Sequence, residues 1–528
     1  MELQRHFEQL ATSTSWLSPL AVVAHVDLDA FYAQVQGVYA NIDPAEPLCC
    51  RQWGSVIAVN YPARKCGIKR GMNISEVKKL CPGVHLPHVA TFKKGETTWK
   101  MRDEPEMESH KVSLDLFRSE SRKIFAIFKD ECPVVEKAGI DEGFIDLGPQ
   151  VYQIAKARFP ELSSNDPQSK LPPVPESVDI EQYGLCFADK TPSTWHDILI
   201  LLGNKIVYDL RQKVYEKLKY TCSAGIASSK VIAKLGSGCN KPFNQTVVTN
   251  SHIPEFLDKF KLGDAWGWGG KLGDEVTQLL SLPDDHQFSY IRDLSFDQLK
   301  SKLKDEKLAS ALHKLCRGAL TCEITKRTTI KSMASVKQFR AGVKTEQHVK
   351  DWLKVYSSDI SGRLHDLAVD NNGLEFRPKS LTLKWAKNEN NKSKRVPGET
   401  LMAVPQENLS EAIYNLVVPV AVSLNLVGTT LLALDASNFE ELPKERKLFE
   451  SLFVDDGKDE SLKYWCDKCR RKVADEQEHK DWHFAKQLQA QQTPRPLSLS
   501  SPASPSKRGV KRNAAGDPKQ GKISDFFK

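Results

Sequence analysis

A chain of 528 residues, 40% hydrophobic and 27% charged, has the composition of a folded multidomain protein and excludes a fibrous or wholly disordered one. Its 75 Lys and Arg exceed its 67 Asp and Glu by eight, and residues 493–528 alone hold eight basic and two acidic residues. The body is therefore close to neutral, and any nucleic-acid surface on it must be a local patch. The charged N-terminus MELQRHFEQL lacks the apolar run of a secretory signal, and twelve scattered Cys with one CxxC pair point to a reducing compartment.

In chain order, residues 21–28 (AVVAHVDL) and 55–60 (SVIAVN) read as strands and 112–129 as a helix with apolar positions at helical spacing. Residues 134–147 form two short strands about a turn containing Gly139 and Gly143, and the Pro-, Ser- and Asp-rich stretch 162–193 reads as a surface insertion. A helix over about 195–218 and the strand CSAGIA follow, so this region is α/β. Residues 255–325 are mostly helical and carry the cluster Gly267, Gly269, Gly270 and Gly273, which suits either close approach to phosphates or tight helix packing.

Beyond 325 the rhythm changes. SVKQF reads as a strand, and Val349, Trp352, Leu353, Tyr356, Ile360 and Leu367 mark one face of a helix over 345–367. SLTLKWA alternates with period two, TLMAV reads as a further strand, and a helix and strand close a β-α-β-β-α-β unit. The charge-free run 412–434 is long enough to span a bilayer, but Pro419, Ser423, Asn425, Gly428, Thr429 and Thr430 interrupt it, so it reads as core rather than membrane. Residues 493–506, with four Pro and five Ser, cannot bury a core and are expected to be disordered.

Three carboxylates carry the chemistry. In VDLDAFY, strand alternation places His25, Asp27 and Asp29 on one face and Val26 and Leu28 on the other. Asp141 and Glu142 are adjacent in GIDEGF; in a regular strand they would diverge, so a shared ligand requires a turn, with Gly139 and Gly143 giving it backbone freedom. Such acids suit two divalent cations about 3.5–4 Å apart, the arrangement of in-line phosphoryl transfer, and magnesium prefers these hard oxygens. Tyr61, Arg64 and Arg70 after a strand, with Lys234 and Lys241 around AKLGSGCNKP, are placed to hold a triphosphate.

Cys466 and Cys469, nine residues, then His479 and His483 offer four ligands for one tetrahedral zinc, with the gap shorter than in the usual DNA-reading finger. Gln520, Ile523, Phe526 and Phe527 in QGKISDFF have no core to enter and read as a short peptide that inserts apolar anchors into a partner. Lys507, Arg508, Lys511 and Arg512 suit nuclear import or nonspecific DNA contact.

Together VDLDAFYAQV, SVIAVNYPARKCGIKRGM, AGIDEGFIDL and CSAGIASSKVIAKLGSGCNKP resemble the Y-family translesion DNA polymerases. RQWGSVIAVNYPAR, ATFKKGETTW and the zinc motif are most similar to the eta branch of that family in its fungal form. The resemblance implies a right-hand polymerase: palm over 1–40 and 106–254, fingers over 41–105, helical thumb over 255–325 and little finger over 326–437. A linker over 438–462, a zinc finger of the ubiquitin-binding type over 463–491 and a disordered tail over 492–528 complete it.

It further implies template-directed addition of deoxynucleoside triphosphates to a primer 3′-hydroxyl, past damaged bases such as thymine dimers, in the nucleus. Asp27, the Leu28 carbonyl, Asp141 and Glu142 would hold two Mg2+, bridging the primer hydroxyl, α-phosphate and leaving pyrophosphate. Tyr61, Arg64, Arg70 and Lys241 would hold the triphosphate, Tyr32 would be the steric gate against ribose, and Gln52 and Trp53 would lie near the templating base. Asp29 matches no ligand, and Gly139 and Gly143 replace the Ser and small non-glycine residue usual in the family. Lys331, Lys337, Lys379, Lys384 and Arg395 would line the DNA face of the little finger, Asp481 would contact ubiquitin, and the tail peptide a sliding clamp (PCNA). A non-catalytic adaptor for clamp and ubiquitin, and a DNA-binding finger, are the competing readings.

Overall fold

The computed structural model describes residues 2–442 apart from 177, 190, 326–329 and 388–389, and beyond them only the backbone of Tyr464–Cys466 and Arg471–Val473. The centre of the larger unit is a six-stranded sheet in the order Val134–Lys137, Glu142–Asp146, Val23–Leu28, Cys222–Ala227, Gln245–Val248, Leu185–Phe187. Val23–Leu28 runs antiparallel to both neighbours, which sets Asp27 opposite Glu142 on one side and Ser223 on the other. The outer strands Gln245–Val248 and Leu185–Phe187 join in parallel.

Strand alternation sorts the two faces as the sequence leads one to expect. Ala24, Val26 and Leu28 enter one core with residues of the helices Asp115–Glu131, Gly148–Arg158 and Trp195–Leu218. Val23 and Phe144 enter a second core with the helix Lys230–Cys239 and the helical block from Ile253 to Leu315. The expected insertion over 162–193 is corrected in part, because Leu185–Phe187 adds an edge strand to the sheet. Its register with Gln245–Val248 is a long-range choice that Pro and Ser content cannot signal.

Between the first strand and the rest of the sheet, a hairpin of Cys49–Gln52 and Ser55–Val59 with the helices Tyr61–Lys65 and Ile74–Leu80 encloses a small core of Cys49, Val56, Val59, Ala63, Ile68, Val77 and Cys81. In the helical block the glycines divide their roles. A Cβ on Gly273 would lie 1.8 Å from the Trp268 carbonyl oxygen, so that position is a packing contact. Gly267 and Gly270 have φ of 86° and 62° with open space around them.

The next unit has the expected β-α-β-β-α-β order, from Ser332–Gln338 through the helix Glu346–Asp370, the strands Phe376–Lys387 and Asn390–Pro397, and the helix Leu409–Ser423 to Leu431–Glu441. Two expectations fail here. TLMAV is a short 3-10 turn, Glu399–Ala403, with Leu401 fully buried, while the polar Asn390–Pro397 is the strand. A polar, lysine-bearing segment suits this place at the sheet's edge, where exposed charge discourages pairing with other chains. The charge-free run divides into the helix and the strand, and among the described residues no helix is long and apolar enough to cross a membrane.

Lys337 is the second correction. It is 6% exposed and donates to the carbonyls of Met107 and His110, so it ties this unit to its neighbour instead of facing outward. Nearby, Lys111 meets Asp359 at 2.8 Å and Ser335 donates to the same carboxylate at 2.7 Å. Lys379 and Lys384 are exposed but paired with Glu440 and Asp435, and exposed Arg395 donates to Ser380 at 2.7 Å.

A separate unit contains the antiparallel hairpin Tyr464–Cys466 and Arg471–Val473, with Cys466 opposite Arg471. The Cys466 side chain, Cys469, His479, Asp481 and His483 lie outside the described residues, as do Gln520, Ile523, Phe526, Phe527 and the basic tail segment.

Candidate active site

The end of the first strand and the adjacent turn bring the acids together. Glu142 is the first residue of its strand and Asp141 lies in the turn before it, so the two need not diverge as strand neighbours do. The Leu28 amide donates to the Asp141 carbonyl at 2.8 Å, which draws the turn against Asp27. The glycines act differently from expectation, since neither has the positive φ that requires glycine. A Cβ on Gly143 would lie 2.8 Å from the Phe125 ring, and one on Gly139 would lie 3.1 Å from Glu142 Cγ. They supply room, not backbone freedom.

Side-chain atoms of His25, Asp27 and Glu142 lie within 4.8 Å of one another. Lys241 is ion-paired with Asp27, and Lys234 Nζ donates to Glu142 Oε2 at 2.5 Å. His25 Nε2 sits 3.3 Å from the same oxygen, close but without good hydrogen-bond alignment. His25 and Lys234 hold the Glu142 carboxyl down at about 2, against the opposing effect of burial. Asp141 moves the other way: burial first, then the charge of Asp27, raises it above the ordinary carboxylate value. Hard oxygen donors crowded until one resists ionisation, with positive groups drawn in as compensation, fit a divalent cation.

A cleft of about 770 Å³ opens on this point and is lined by Asp27, Leu28, Tyr32, Tyr61, Arg64, Arg70, Asp141 and Lys241, among others. The helix Phe31–Ala40 starts after Ala30, whose φ is 44°, and presents Tyr32 to the cleft. The Tyr32 ring is stacked on Phe117 at 4.1 Å between centroids and 14° between planes, so it rests on a rigid support. The helix Tyr61–Lys65 begins at Asn60, whose side chain accepts from the Ala63 amide, and it places Tyr61 and Arg64 on the cleft wall. Their side chains stack at 4.6 Å, and burial foremost raises the Tyr61 hydroxyl to about 12, keeping it a neutral donor.

Asp29 is not one of the clustered metal-type groups, although it lies 4.0 Å from Lys241. It is 1% exposed and accepts from Ser223 Oγ and from the Phe243 amide, each at 2.8 Å, which fixes the turn that carries Lys241. Gln52 and Trp53 do not line the cleft; they end the neighbouring hairpin, where the Trp53 amide donates to His88 at 2.9 Å. Sequence reasoning missed the roles of Phe117 beneath Tyr32, of Lys234, expected at the triphosphate but paired with Glu142 and not on the cleft lining, and of Ser237 against His25. Their spacing of three on one helix face was a usable signal for the last two.

The impB/mucB/samB family model matches residues 26–238, and the Ubiquitin-Binding Zinc Finger model matches 463–491. DNA polymerase eta of Saccharomyces cerevisiae is 33% identical over 435 residues, covering 70% of this chain and 68% of that protein. The Schizosaccharomyces pombe protein named N-acetyltransferase eso1 is 38% identical over 377 residues, 69% of this chain, and the chain spans 42% of its length. Among solved structures, a Y-family DNA polymerase chimera, Dbh-Dpo4(243-245)-Dbh, is 17% identical with a TM-score of 0.49, covering 79% of this chain and 98% of its own. On its 33% identity to the yeast polymerase across two thirds of that protein, the chain belongs to the Y-family DNA polymerases, in the branch of DNA polymerase eta.

Proposed function

We propose that this chain is a template-directed DNA polymerase that adds deoxynucleotides to a primer 3′-hydroxyl and is specialised for synthesis past damaged bases such as thymine dimers. The convergence of Asp27 and Asp141 with Tyr32, Tyr61, Arg64, Arg70 and Lys241 on one cleft carries the reading. Asp27, Asp141, Glu142 and the Leu28 carbonyl are the groups assigned to two Mg2+. When bound, the metals lower the charge barrier between hydroxyl and α-phosphate. Arg64, Arg70, Lys241 and the neutral Tyr61 hydroxyl bind and orient the triphosphate. Tyr32, fixed on Phe117, fills the volume of a ribose 2′-hydroxyl. Gln52 and Trp53 flank the templating base from the hairpin above.

The segments divide as palm over 1–40 and 106–254, fingers over 41–105, thumb over 255–325 and little finger over 326–437. The zinc finger, with one Zn2+ on Cys466, Cys469, His479 and His483, binds ubiquitin through Asp481, supported by the family match over 463–491. Gln520, Ile523, Phe526 and Phe527 engage a sliding clamp, and the basic tail directs the chain to the nucleus. A mere adaptor would have no use for the carboxylates gathered at the cleft.

The test is primer extension with Mg2+ opposite an intact template and opposite a thymine dimer. Wild type should extend both. Asp141→Ala or Glu142→Ala should abolish addition and leave DNA affinity nearly unchanged, because that affinity rests on phosphate contacts elsewhere. Substantial extension by either variant would remove the carboxylates from the mechanism.

A further inference from the structure

We infer that His25 is a positioning residue for this reaction, holding the Glu142 carboxylate in the orientation that receives metal; the inference rests on the assignment of Glu142 as a ligand. His25 is fully buried, two residues before Asp27 on the same strand face. Its strand neighbours in register are Phe144 and Gly225. Phe144 packs against the imidazole with the ring centroids 4.6 Å apart and the planes tilted by 55°. Gly225 leaves room for the helix Lys230–Cys239 to descend on the sheet: a Cβ there would lie 1.9 Å from the Ala233 carbonyl oxygen and 2.5 Å from the Ser237 amide.

That close approach brings Ser237 Oγ to 2.8 Å from both His25 Nδ1 and the Lys234 carbonyl oxygen. In the tautomer that the positioning role requires, the Ser237 hydroxyl donates to Nδ1 and the ring proton sits on Nε2, the nitrogen that faces Glu142. The ring is thus held on one edge by the helix and packed against Phe144. Its other nitrogen, Nε2, is buried without an aligned hydrogen-bond partner and stands 3.3 Å from Glu142 Oε2. A buried polar atom in that state is expensive for structure alone. It is understandable if the carboxylate completes the bond when it rotates to bind metal, as hydrogen bonds in ligand-free sites commonly tighten on loading. The same helix contributes Lys234 to Oε2, so one rigid element supports Glu142 through two side chains. Partners of this kind, removed from a metal ligand, change metal affinity or activity by about 10–100-fold.

The test uses the full chain with primer-template and a nonhydrolysable deoxynucleoside triphosphate, and titrates Mn2+ by electron paramagnetic resonance. His25→Leu should weaken Mn2+ binding by about 10–100-fold and lower kcat comparably, with KM for the nucleotide and DNA affinity unchanged. His25→Gln places an amide near Nε2 and should recover most of the loss. His25→Asn reaches only the Nδ1 position, keeping the Ser237 contact, and should remain as weak as Leu. Mn2+ affinity in His25→Leu equal to wild type, or Asn recovering as well as Gln, overturns the inference. If His25→Leu fails to fold, the Gln and Asn pair decides alone. Glu142→Gln is the control: unaltered Mn2+ binding there removes the ligand assignment itself, whereas weakened binding with intact His25 variants refutes the positioning role only.

Discussion

Replacing Asp359 with Ala probes how the β-α-β-β-α-β unit from Ser332 to Glu441 is held against the segment that carries Lys111. Lys111, beside the strand end at His110, and Asp359, on the helix Glu346–Asp370, meet at 2.8 Å with side chains only 9% and 5% exposed. Burial alone would raise the Asp359 carboxyl, but Lys111, Arg363 and the Ser335 hydroxyl outweigh it and hold it below its ordinary value. Removing the carboxylate leaves an ammonium buried without its counter-charge, which costs about 3–5 kcal/mol when a buried pair is broken on one side. Replacing both partners, Lys111→Met with Asp359→Leu, should return to within about 1 kcal/mol of wild type, since desolvation of both charges is then avoided. Urea unfolding at pH 7 of wild type, Lys111→Met, Asp359→Leu and the double variant closes a double-mutant cycle that measures the coupling, with Asp359→Ala measured beside it. The pair's contribution should persist above about pH 4, the ordinary Asp value, and disappear as pH falls through the depressed folded value. A single-mutant loss below about 1 kcal/mol would refute the reasoning, because it would place the pair with surface salt bridges.

Four further outcomes are expected. Burial lowers Lys337 to about 8, so between about pH 8 and the ordinary lysine value near 10.4 the unfolded chain binds the extra proton and stability should rise with pH. Thermal unfolding across that range should show the rise in wild type and lose it in Lys337→Met. Gly225→Ala should destabilise by at least about 1–3 kcal/mol through the clash with the Ala233 carbonyl, read by denaturant unfolding. Tyr32→Ala should raise the ratio of ribo- to deoxynucleotide incorporation in single-turnover assays; an unchanged ratio excludes the gate role. Asp481→Ala should weaken binding to ubiquitin-modified clamp and spare unmodified clamp, whereas Phe526→Ala with Phe527→Ala should weaken both, measured by titration.

Much of this protein is legible in one dimension because its signals are periodic or local. Alternation in AVVAHVDL identifies a strand with Val26 toward one core and Asp27 toward the opposite face, and Pro419 and Gly428 show that the charge-free run is no single span. Adjacent acids in GIDEGF call for a turn, and Asp141 lies in one. What failed depended on partners distant in sequence. TLMAV has a strand's composition, but Asn390–Pro397 took the edge position beside Phe376–Lys387, and Leu401 was left to bury itself in a turn. Gly143 looks like a hinge in sequence and is a gap left for Phe125. Lys337 looks like a solvated strand lysine until the Met107 and His110 carbonyls, more than 200 residues earlier, close over it.

The site divides in the same way. Residue types alone specify carboxylates for hard cations and basic groups for phosphates, because those affinities are properties of the functional groups. Which lysine faces which acid was decided only in three dimensions: Lys241 and Asp27 lie 214 residues apart, and Lys234 and Glu142 lie 92 apart. Period and propensity act over a few residues, whereas electrostatic pairing and close packing act over a few ångströms, and only the folded sheet and its helices convert one distance into the other.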